Sequence, residues 1–180
     1  MPTRTVTKHD FLTALGCNTR AWFGMRESGG IPTPADLLRM QEGQDVHRRA
    51  QSLHPNGVFA GSIEKTKQLI LDRAVEVIFE AAFTVDGYTA RADWIRRVKG
   101  GWVIGEIKSS LFNEDGPKDE HLEDLAYTVI VARRSGLPVK GCELVLMNRD
   151  WRLGMPDTEL FVVTDHTAVV LPMADEYNRL

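Results

Sequence analysis

The chain has 180 residues, of which 43% are hydrophobic and 26% are charged, and its formal net charge is −3. This composition is that of an ordinary soluble globular protein, and the length predicts one domain over residues 1–180. The near-neutral charge excludes nucleic-acid binding through overall charge, so any such contact needs a local basic patch.

The sequence has neither a signal-peptide pattern nor an apolar run of about 18 residues, the length that would span a membrane. We therefore expect a cytoplasmic protein without a membrane contact. The two cysteines, Cys17 and Cys142, are too few for a disulfide framework or a four-cysteine cluster. We expect Cys17 to be a small buried residue.

The N-terminal part predicts a loose start over residues 1–8 and then a helix to about Met25, capped by Thr7 or by His9-Asp10. Its buried side consists of large apolar residues, namely Phe11, Leu12, Leu15, Trp22 and Phe23. Arg20 is either a phosphate contact or part of a surface ion pair. A loop follows from Glu27 to Pro32.

A second helix is predicted from Thr33-Pro34 to about Leu53, because threonine is a good N-cap and proline suits the first helical position. His47 lies on one helical stripe with Gly43, and a mid-helix glycine costs about 1 kcal/mol. This glycine suggests that something packs closely there. His47 is either a core or surface histidine or a ligand. A short helix is predicted from Ser62 to Asp72.

The stretch from Val75 to Ser110 predicts three antiparallel strands joined by two tight turns, Asp86-Gly87 and Gly100-Gly101. Two-residue turns at both places would put Asp93 between Glu80 on one side and Lys108 on the other, with Glu106 next along the same face.

Three carboxylates this close raise one another's pKa or need a cation between them. The first strand's Glu80 is either a ligand of that cation, a support for a second one, or the partner of a nearby arginine. Oxygen ligands and retained waters favour Mg²⁺. The lysine beside the cation would orient a water or help to deprotonate it, and would stabilise charge on a phosphate.

The C-terminal part predicts a polar loop over 109–119 and a helix from Pro117 or Asp119 to Arg134 that Gly136 ends. Strands are expected over 139–147 and 159–164, followed by a turn at 165–167 and a short tail. We expect His121 and His166 to be surface residues. The polar residues of this helix that are candidates for a site are Asp124 and Tyr127.

Asp93 followed by Glu106-Ile107-Lys108 resembles the D…(D/E)xK signature of the PD-(D/E)XK nuclease superfamily. The segments KHDFLTALGCNTRAWF and EGQDVHRRAQ are similar to the N-terminal parts of RecB-like nucleases, including CRISPR-associated exonucleases. In some of those relatives the cysteine matching Cys17 is an iron–sulfur ligand. The other three cysteines are missing here, so no iron–sulfur cluster is expected.

The resemblance implies an α/β fold with a restriction-endonuclease-like core, in which a mixed central sheet contains a three-strand antiparallel meander flanked by helices. It divides the chain into N-terminal helices over 8–73, a catalytic meander over 75–110, and a helix with C-terminal strands over 117–165. Thr128 stands where the family commonly has a glutamine.

The resemblance also implies the site. Mg²⁺ or Mn²⁺ would be held by Asp93, Glu106 and the main-chain carbonyl of Ile107. His47 would complete or support this set from its helix, and Glu80 is a further candidate. Lys108 would act on the attacking water. Three arginines would contact nucleic acid, namely Arg20, Arg91 and Arg97, the last two on the face of Asp93.

The implied function is hydrolysis of phosphodiester bonds in DNA by a stand-alone domain, with exonuclease and endonuclease action both open. The short length favours a partner such as a helicase. Two alternatives remain: a catalytically degenerate fold that serves as a DNA-binding or assembly module, and the same fold acting on RNA. The oligomeric state stays open.

Overall fold

The structure is a computed structural model that describes residues 5–26 and 30–179. The first part of the predicted loose start, residues 1–4, and residues 27–29 of the predicted loop lie outside the described residues. No helix in the described ranges combines the length and the apolar composition that crossing a bilayer requires.

The helices and strands follow the predicted order. The α-helices are α1 Lys8–Gly16, α2 Asn18–Gly24, α3 Pro34–Ala50, α4 Ile63–Leu71, α5 Asp119–Arg134 and α6 Thr167–Tyr177. The strands are β1 Val58–Phe59, β2 Val77–Val85, β3 Tyr88–Val98, β4 Gly101–Leu111, β5 Val139–Met147 and β6 Phe161–Asp165. Short 3-10 helices occupy Gln51–Leu53 and Asp157–Leu160.

The strands form one mixed sheet in the order β1-β2-β3-β4-β5-β6. Neighbours are antiparallel except β1 with β2 and β4 with β5, which are parallel. One face packs against α4, α5 and α6, through residues such as Leu69, Leu125 and Val170. The other face packs against α3 through Val46 and Ala50. The predicted mixed α/β fold with its meander is confirmed.

The first turn of the meander is as predicted, and the second is not. Val85 pairs with Tyr88, and both Asp86 and Gly87 have positive φ, as a two-residue turn of this kind requires. In the second turn Val98 pairs with Gly101, so the turn residues are Lys99 and Gly100. The register is therefore shifted by two residues.

This shift puts Asp93 level with Glu106, because β3 and β4 pair as far as Trp94 and Gly105. The predicted position of Asp93 opposite Lys108 is wrong. The reason is that only Gly100, with φ +79°, has a left-handed conformation in this turn. A pair of adjacent glycines does not reveal which of them has it.

The alternation of side chains changes phase in the middle of β2 and β3. On β2, Ile78 and Ala81 pack into the same core, although they are an odd number of residues apart. On β3, Ala92 and Ile95 do the same. The pairing of β2 with β3 is unchanged across this point, so one extra residue in each strand, Glu80 opposite position 93, lies at the phase change.

The predicted first helix is two helices that meet at Cys17, whose extended backbone, with φ −165° and ψ 108°, breaks the helix. Cys17 is exposed, so its predicted burial is wrong. Trp22 and Phe23, predicted to be buried, are about half exposed and stack edge to face on each other.

The predicted short tail is wrong, because Thr167–Tyr177 forms helix α6. Its Val170 and Ala174 complete the core beside α5. His121 is buried rather than on the surface, and its Nε2 lies 3.4 Å from Ser110 Oγ.

Candidate active site

The sheet forks between β3 and β4. Backbone pairing stops after Trp94 and Gly105, and the next main-chain donor on β4, the N–H of Ile107, donates to Asp93 Oδ2 at 2.6 Å. Gly105 permits this arrangement, since a Cβ there would lie 1.9 Å from Nε1 of Trp94. The side chain of Asp93 thus accepts the hydrogen bond that a main-chain carbonyl of β3 would accept in a regular ladder, at the point where the two strands separate.

Three side chains from different elements converge on the α3 side of this fork. One ligand atom from each of His47, Glu80 and Asp93 lies within 4.8 Å of the others. His47 Nδ1 is 3.5 Å from Asp93 Oδ1. Arg91 Nη1 is 3.5 Å from Glu80 Oε2, so the predicted arginine partner of Glu80 is present as well.

Glu80 reaches this cluster from a left-handed backbone conformation, with φ 52°. A left-handed conformation costs a residue with a Cβ roughly 1–2 kcal/mol. Strained backbone of this kind is concentrated at functional sites. Here the strained residue lies at the phase change of β2, and the strand register places it opposite Asp93.

Four charged side chains form a closed ring on the α5 side of the fork. Lys8 Nζ lies 3.1 Å from both carboxylate oxygens of Glu106 and 3.1 Å from Asp124 Oδ1. Lys108 Nζ donates to Glu106 Oε1 at 2.9 Å and also to Asp124. The two carboxylates are almost fully buried. Two ammonium groups therefore neutralise two buried carboxylates.

The ring fixes the charge states of its members. Burial alone would lower the pKa of the Lys108 amine, but the carboxylates of Glu106 and Asp124 outweigh it and raise the pKa above its ordinary 10.5. The same forces raise the pKa of Lys8. Burial opposes ionisation of Asp124, yet the two lysines lower its pKa. Both lysines are thus cationic at neutral pH.

The opposite is true of the cluster on the α3 side. Burial, followed by repulsion from Glu106, raises the pKa of Asp93 well above 3.8, although the N–H of Ile107 acts against the shift. Burial lowers the pKa of His47, which keeps the imidazole neutral. A neutral imidazole and two carboxylates are a donor set that suits a divalent cation.

Lys8 is a site residue that the sequence did not reveal. Thr7 caps α1 in a reciprocal capping box with Asp10, which points the first residue of the helix into the fork. The preceding Val6 bridges to Tyr88, and the hydroxyl of Tyr127 donates to the carbonyl of Val6 at 2.9 Å. The cap was foreseen from Thr7, but the direction of Lys8 depends on this tertiary anchoring.

The structure brings most of the predicted residues together and leaves two of the arginines elsewhere. Arg97 stacks on Trp102 at 4.1 Å and donates to the carbonyls of Val75, Ile70 and Asp72, on the face opposite to that predicted. Arg20 lies on the exposed helix α2. Thr128 is fully buried and donates to the carbonyl of Asp124.

Two open clefts flank the fork. The one on the α3 side, about 440 Å³, is lined by His47, Glu80, Gly43 and neighbouring residues of α3. No side chain lies within 4 Å of a Cβ placed on Gly43, so the expected close packing is wrong and this glycine instead leaves the cleft open. The other cleft, about 540 Å³, lies where α1 and α4 begin and includes Lys8 and Arg91.

Neither a protein-family profile nor a curated protein sequence matches the chain. Among solved structures it is similar to LHK-Exo, an alkaline exonuclease from Laribacter hongkongensis, with 14% identity and a TM-score of 0.47 over 97% of this chain and 84% of that one. LHK-Exo in complex with dAMP gives 15% identity and a TM-score of 0.53 over the same shares. The protein SSO0001 gives 15% identity and a TM-score of 0.44, covering 97% of this chain and 75% of that one.

The match to the dAMP complex of LHK-Exo shows a shared fold, since the TM-score exceeds 0.5 while the sequence identity is low. The chain therefore has the mixed α/β fold of LHK-Exo, and the mixed α/β fold is the one that the sequence predicted. The site itself is argued from the residues of this chain.

Proposed function

We propose that the chain is a nuclease that hydrolyses phosphodiester bonds in DNA with Mg²⁺ or Mn²⁺ held in the fork between β3 and β4. The observation that carries the proposal is the convergence of His47, Glu80 and Asp93 from three elements, directly beside Glu106 and Lys108. The side chain of Asp93 is 12% exposed and Glu106 is 4% exposed. A sheet face that merely met solvent would not bury two carboxylates in this way.

His47, Glu80 and Asp93 would hold the cation, with Glu106 and the main-chain carbonyl of Ile107 as the further predicted ligands from β4. When bound there, a divalent cation supplies positive charge that polarises a phosphoryl oxygen and favours ionisation of water. The neutral imidazole of His47 favours this occupancy, because an unprotonated ring nitrogen can bind a cation.

Lys108 stabilises the negative charge that develops on the phosphate. Its amine stays protonated because Glu106 and Asp124 raise its pKa, so it donates hydrogen bonds to water or to a phosphoryl oxygen rather than accepting a proton. In the reaction a water oxygen attacks phosphorus as the bond from phosphorus to the leaving oxygen breaks; the proton of the water passes to solvent and the leaving oxygen takes up a proton from solvent. Asp124, on the buried helix α5, holds the amine in place.

DNA is the proposed substrate on two grounds. The chain resembles nucleases that act on DNA, and LHK-Exo, which has the same fold, has been crystallised with the DNA nucleotide dAMP. Arg91, partly exposed at the edge of the site, is positioned to contact a phosphate. A helicase or another DNA-processing protein as a partner, and a cytoplasmic location, remain predictions.

The test compares cleavage of linear single-stranded DNA, linear duplex DNA, covalently closed circular DNA and RNA, with Mg²⁺, with Mn²⁺ and with chelator. We expect cation-dependent cleavage of DNA that Lys108→Met abolishes. Lys140→Met, which removes an exposed lysine of β5, is the matched control and should retain full activity. Cleavage of the circle would identify an endonuclease.

Other outcomes would redirect the proposal. Cleavage of RNA alone would reassign the substrate. A folded wild-type protein that binds DNA and cleaves nothing under any condition would favour the DNA-binding or assembly module.

A further inference from the structure

We propose that Lys8 is a second active-site lysine that binds a phosphate of the substrate strand, in the cleft on the α1 and α4 side of the fork. This inference rests on the proposed nuclease function and adds a substrate contact to it. It also gives the strand a path beyond the reacting phosphate, past Lys8 towards Arg91.

The ammonium of Lys8 faces two environments at once. On the inner side it contacts Glu106 and Asp124 at 3.1 Å. On the outer side the residue lines the cleft of about 540 Å³, and a quarter of its side chain is exposed. Lys8 therefore reaches from the buried ring to a surface that a polymer can occupy.

The cleft has the charge that a phosphate needs. Lys8 and Arg91 bring two cationic donors to the cleft, although Lys8 also contacts Glu106 and Asp124 and Arg91 also contacts Glu80. Glu64 is the one acid among the described residues that line it. The capped first turns of α1 and α4 also border the cleft, and helix N-termini favour anions. These helix ends add to a site that the two cationic side chains define.

The segment before Lys8 is anchored more firmly than an ion pair alone would require. The N–H of Val6 donates to the carbonyl of Gly87 at 2.7 Å, and its carbonyl accepts from Thr89 N at 3.0 Å and from Tyr127 Oη at 2.9 Å. Ordering a chain segment costs about 1–2 kcal/mol per residue. This anchoring fixes the lysine at the junction of ring and cleft, as substrate positioning demands.

The experiment measures DNA binding in chelator and kcat/KM with the cation, both across a series of salt concentrations, for Lys8→Met, Lys8→Arg and Lys140→Met. Losing one phosphate contact should reduce the slope of log K against log salt by about 0.7–0.9. We expect this reduction in Lys8→Met, with kcat/KM lower by about ten-fold or more. Lys8→Arg should restore the slope, and Lys140→Met should not change it.

A purely structural Lys8 would lower thermal stability and leave the salt slope intact, and that result would overturn the inference. If Lys8→Met does not fold, the neutral but polar Lys8→Gln replaces it in the same measurement, and Arg91→Gln tests the second cation of the cleft. Arg91 is more than half exposed, so its loss should reduce the slope without unfolding the protein.

The two proposals fail in different ways. An unchanged salt slope in Lys8→Met, with the wild-type enzyme active, removes the lysine contact alone. A wild-type protein that neither cleaves nor binds nucleic acid removes both proposals.

Discussion

Asp93 has two separable roles, and two substitutions distinguish them. Its Oδ2 accepts the N–H of Ile107 at 2.6 Å, and its carboxylate belongs to the cluster with His47 and Glu80. Asp93→Asn keeps an acceptor oxygen and removes the charge. Asp93→Ala removes both. We expect both variants to lose cation-dependent cleavage and to differ in stability.

The size of the difference follows from burial. Ile107 is 4% exposed, so its N–H would have no replacement partner in Asp93→Ala. A buried donor without a partner costs about 1–3 kcal/mol. Each kcal/mol shifts Tm by roughly 2–4 °C in a domain of this size. The alanine variant should therefore melt several degrees below the asparagine variant.

The asparagine variant should be at least as stable as the wild type when no cation is bound. Burial and the neighbouring Glu106 raise the pKa of Asp93, which means that the folded protein disfavours the ionised carboxylate. Asparagine has no such charge. The variant therefore loses the ligand without losing the hydrogen bond of the fork.

The assay is thermal unfolding at neutral pH in chelator and then with increasing Mn²⁺. The wild type should gain stability with the cation, because a ligand that binds only the folded state stabilises it. Neither variant should gain. If Asp93→Asn melts as low as Asp93→Ala, the hydrogen bond to Ile107 does not hold the fork. If it retains cleavage, Asp93 is not a ligand.

Three further changes probe the surroundings of the site. His47→Ala should raise the Mn²⁺ concentration for half-maximal cleavage by about ten-fold or more, whereas the exposed His9→Ala should not. Gly105→Ala places a Cβ 1.9 Å from Nε1 of the buried Trp94; we expect a loss of about 1–3 kcal/mol in urea unfolding. Burial raises the pKa of Tyr127 from 10.0 to about 12. The contribution of Tyr127 to the free energy of unfolding is therefore complete below pH 10 and falls by roughly 2–3 kcal/mol as the pH rises to 12. Tyr127→Phe loses the hydrogen bond to Val6 and should be less stable than the wild type at neutral pH. The phenylalanine does not titrate, so the difference in free energy of unfolding between the two proteins should become smaller from pH 10 to pH 12.

Elements with strong local signals were predictable from the sequence. The N-cap of α3 at Thr33, the Asp86-Gly87 turn and the end of α5 at Gly136 all occur where expected. Each depends on residues within one turn of chain, so local chemistry decides it.

Elements that depend on tertiary contacts were not predictable. Helix α6 contains Pro172, and its N-cap residue His166 makes no side-chain cap, so its packing into the core beside α5 is what the local sequence does not reveal. The position of Lys8 also depends on tertiary contacts. Its position depends on Val6 and Tyr127, which are far apart in the chain.

The location of the fork has a physical reason that the strands themselves display. In the half of the sheet nearest α3, adjacent residues such as Trp94 and Ile95 are both buried, so both faces are covered. In the other half, burial alternates, as with Ala90 and Ala92 on either side of the exposed Arg91. Asp93 lies at the boundary.

With regular pairing throughout, the sheet would simply change at this boundary from being covered on both faces to being covered on one face. The phase change at Glu80 and Asp93 turns two carboxylates into the gap, and the separation of β3 from β4 supplies the space for them. Since the pairing of β2 with β3 is the same before and after the change, counting residues from the turn does not reveal it. The adjacent apolar residues Ile78-Phe79 and Trp94-Ile95 on the two neighbouring strands do, because a strand buried on one face alone would not bury both members of such a pair.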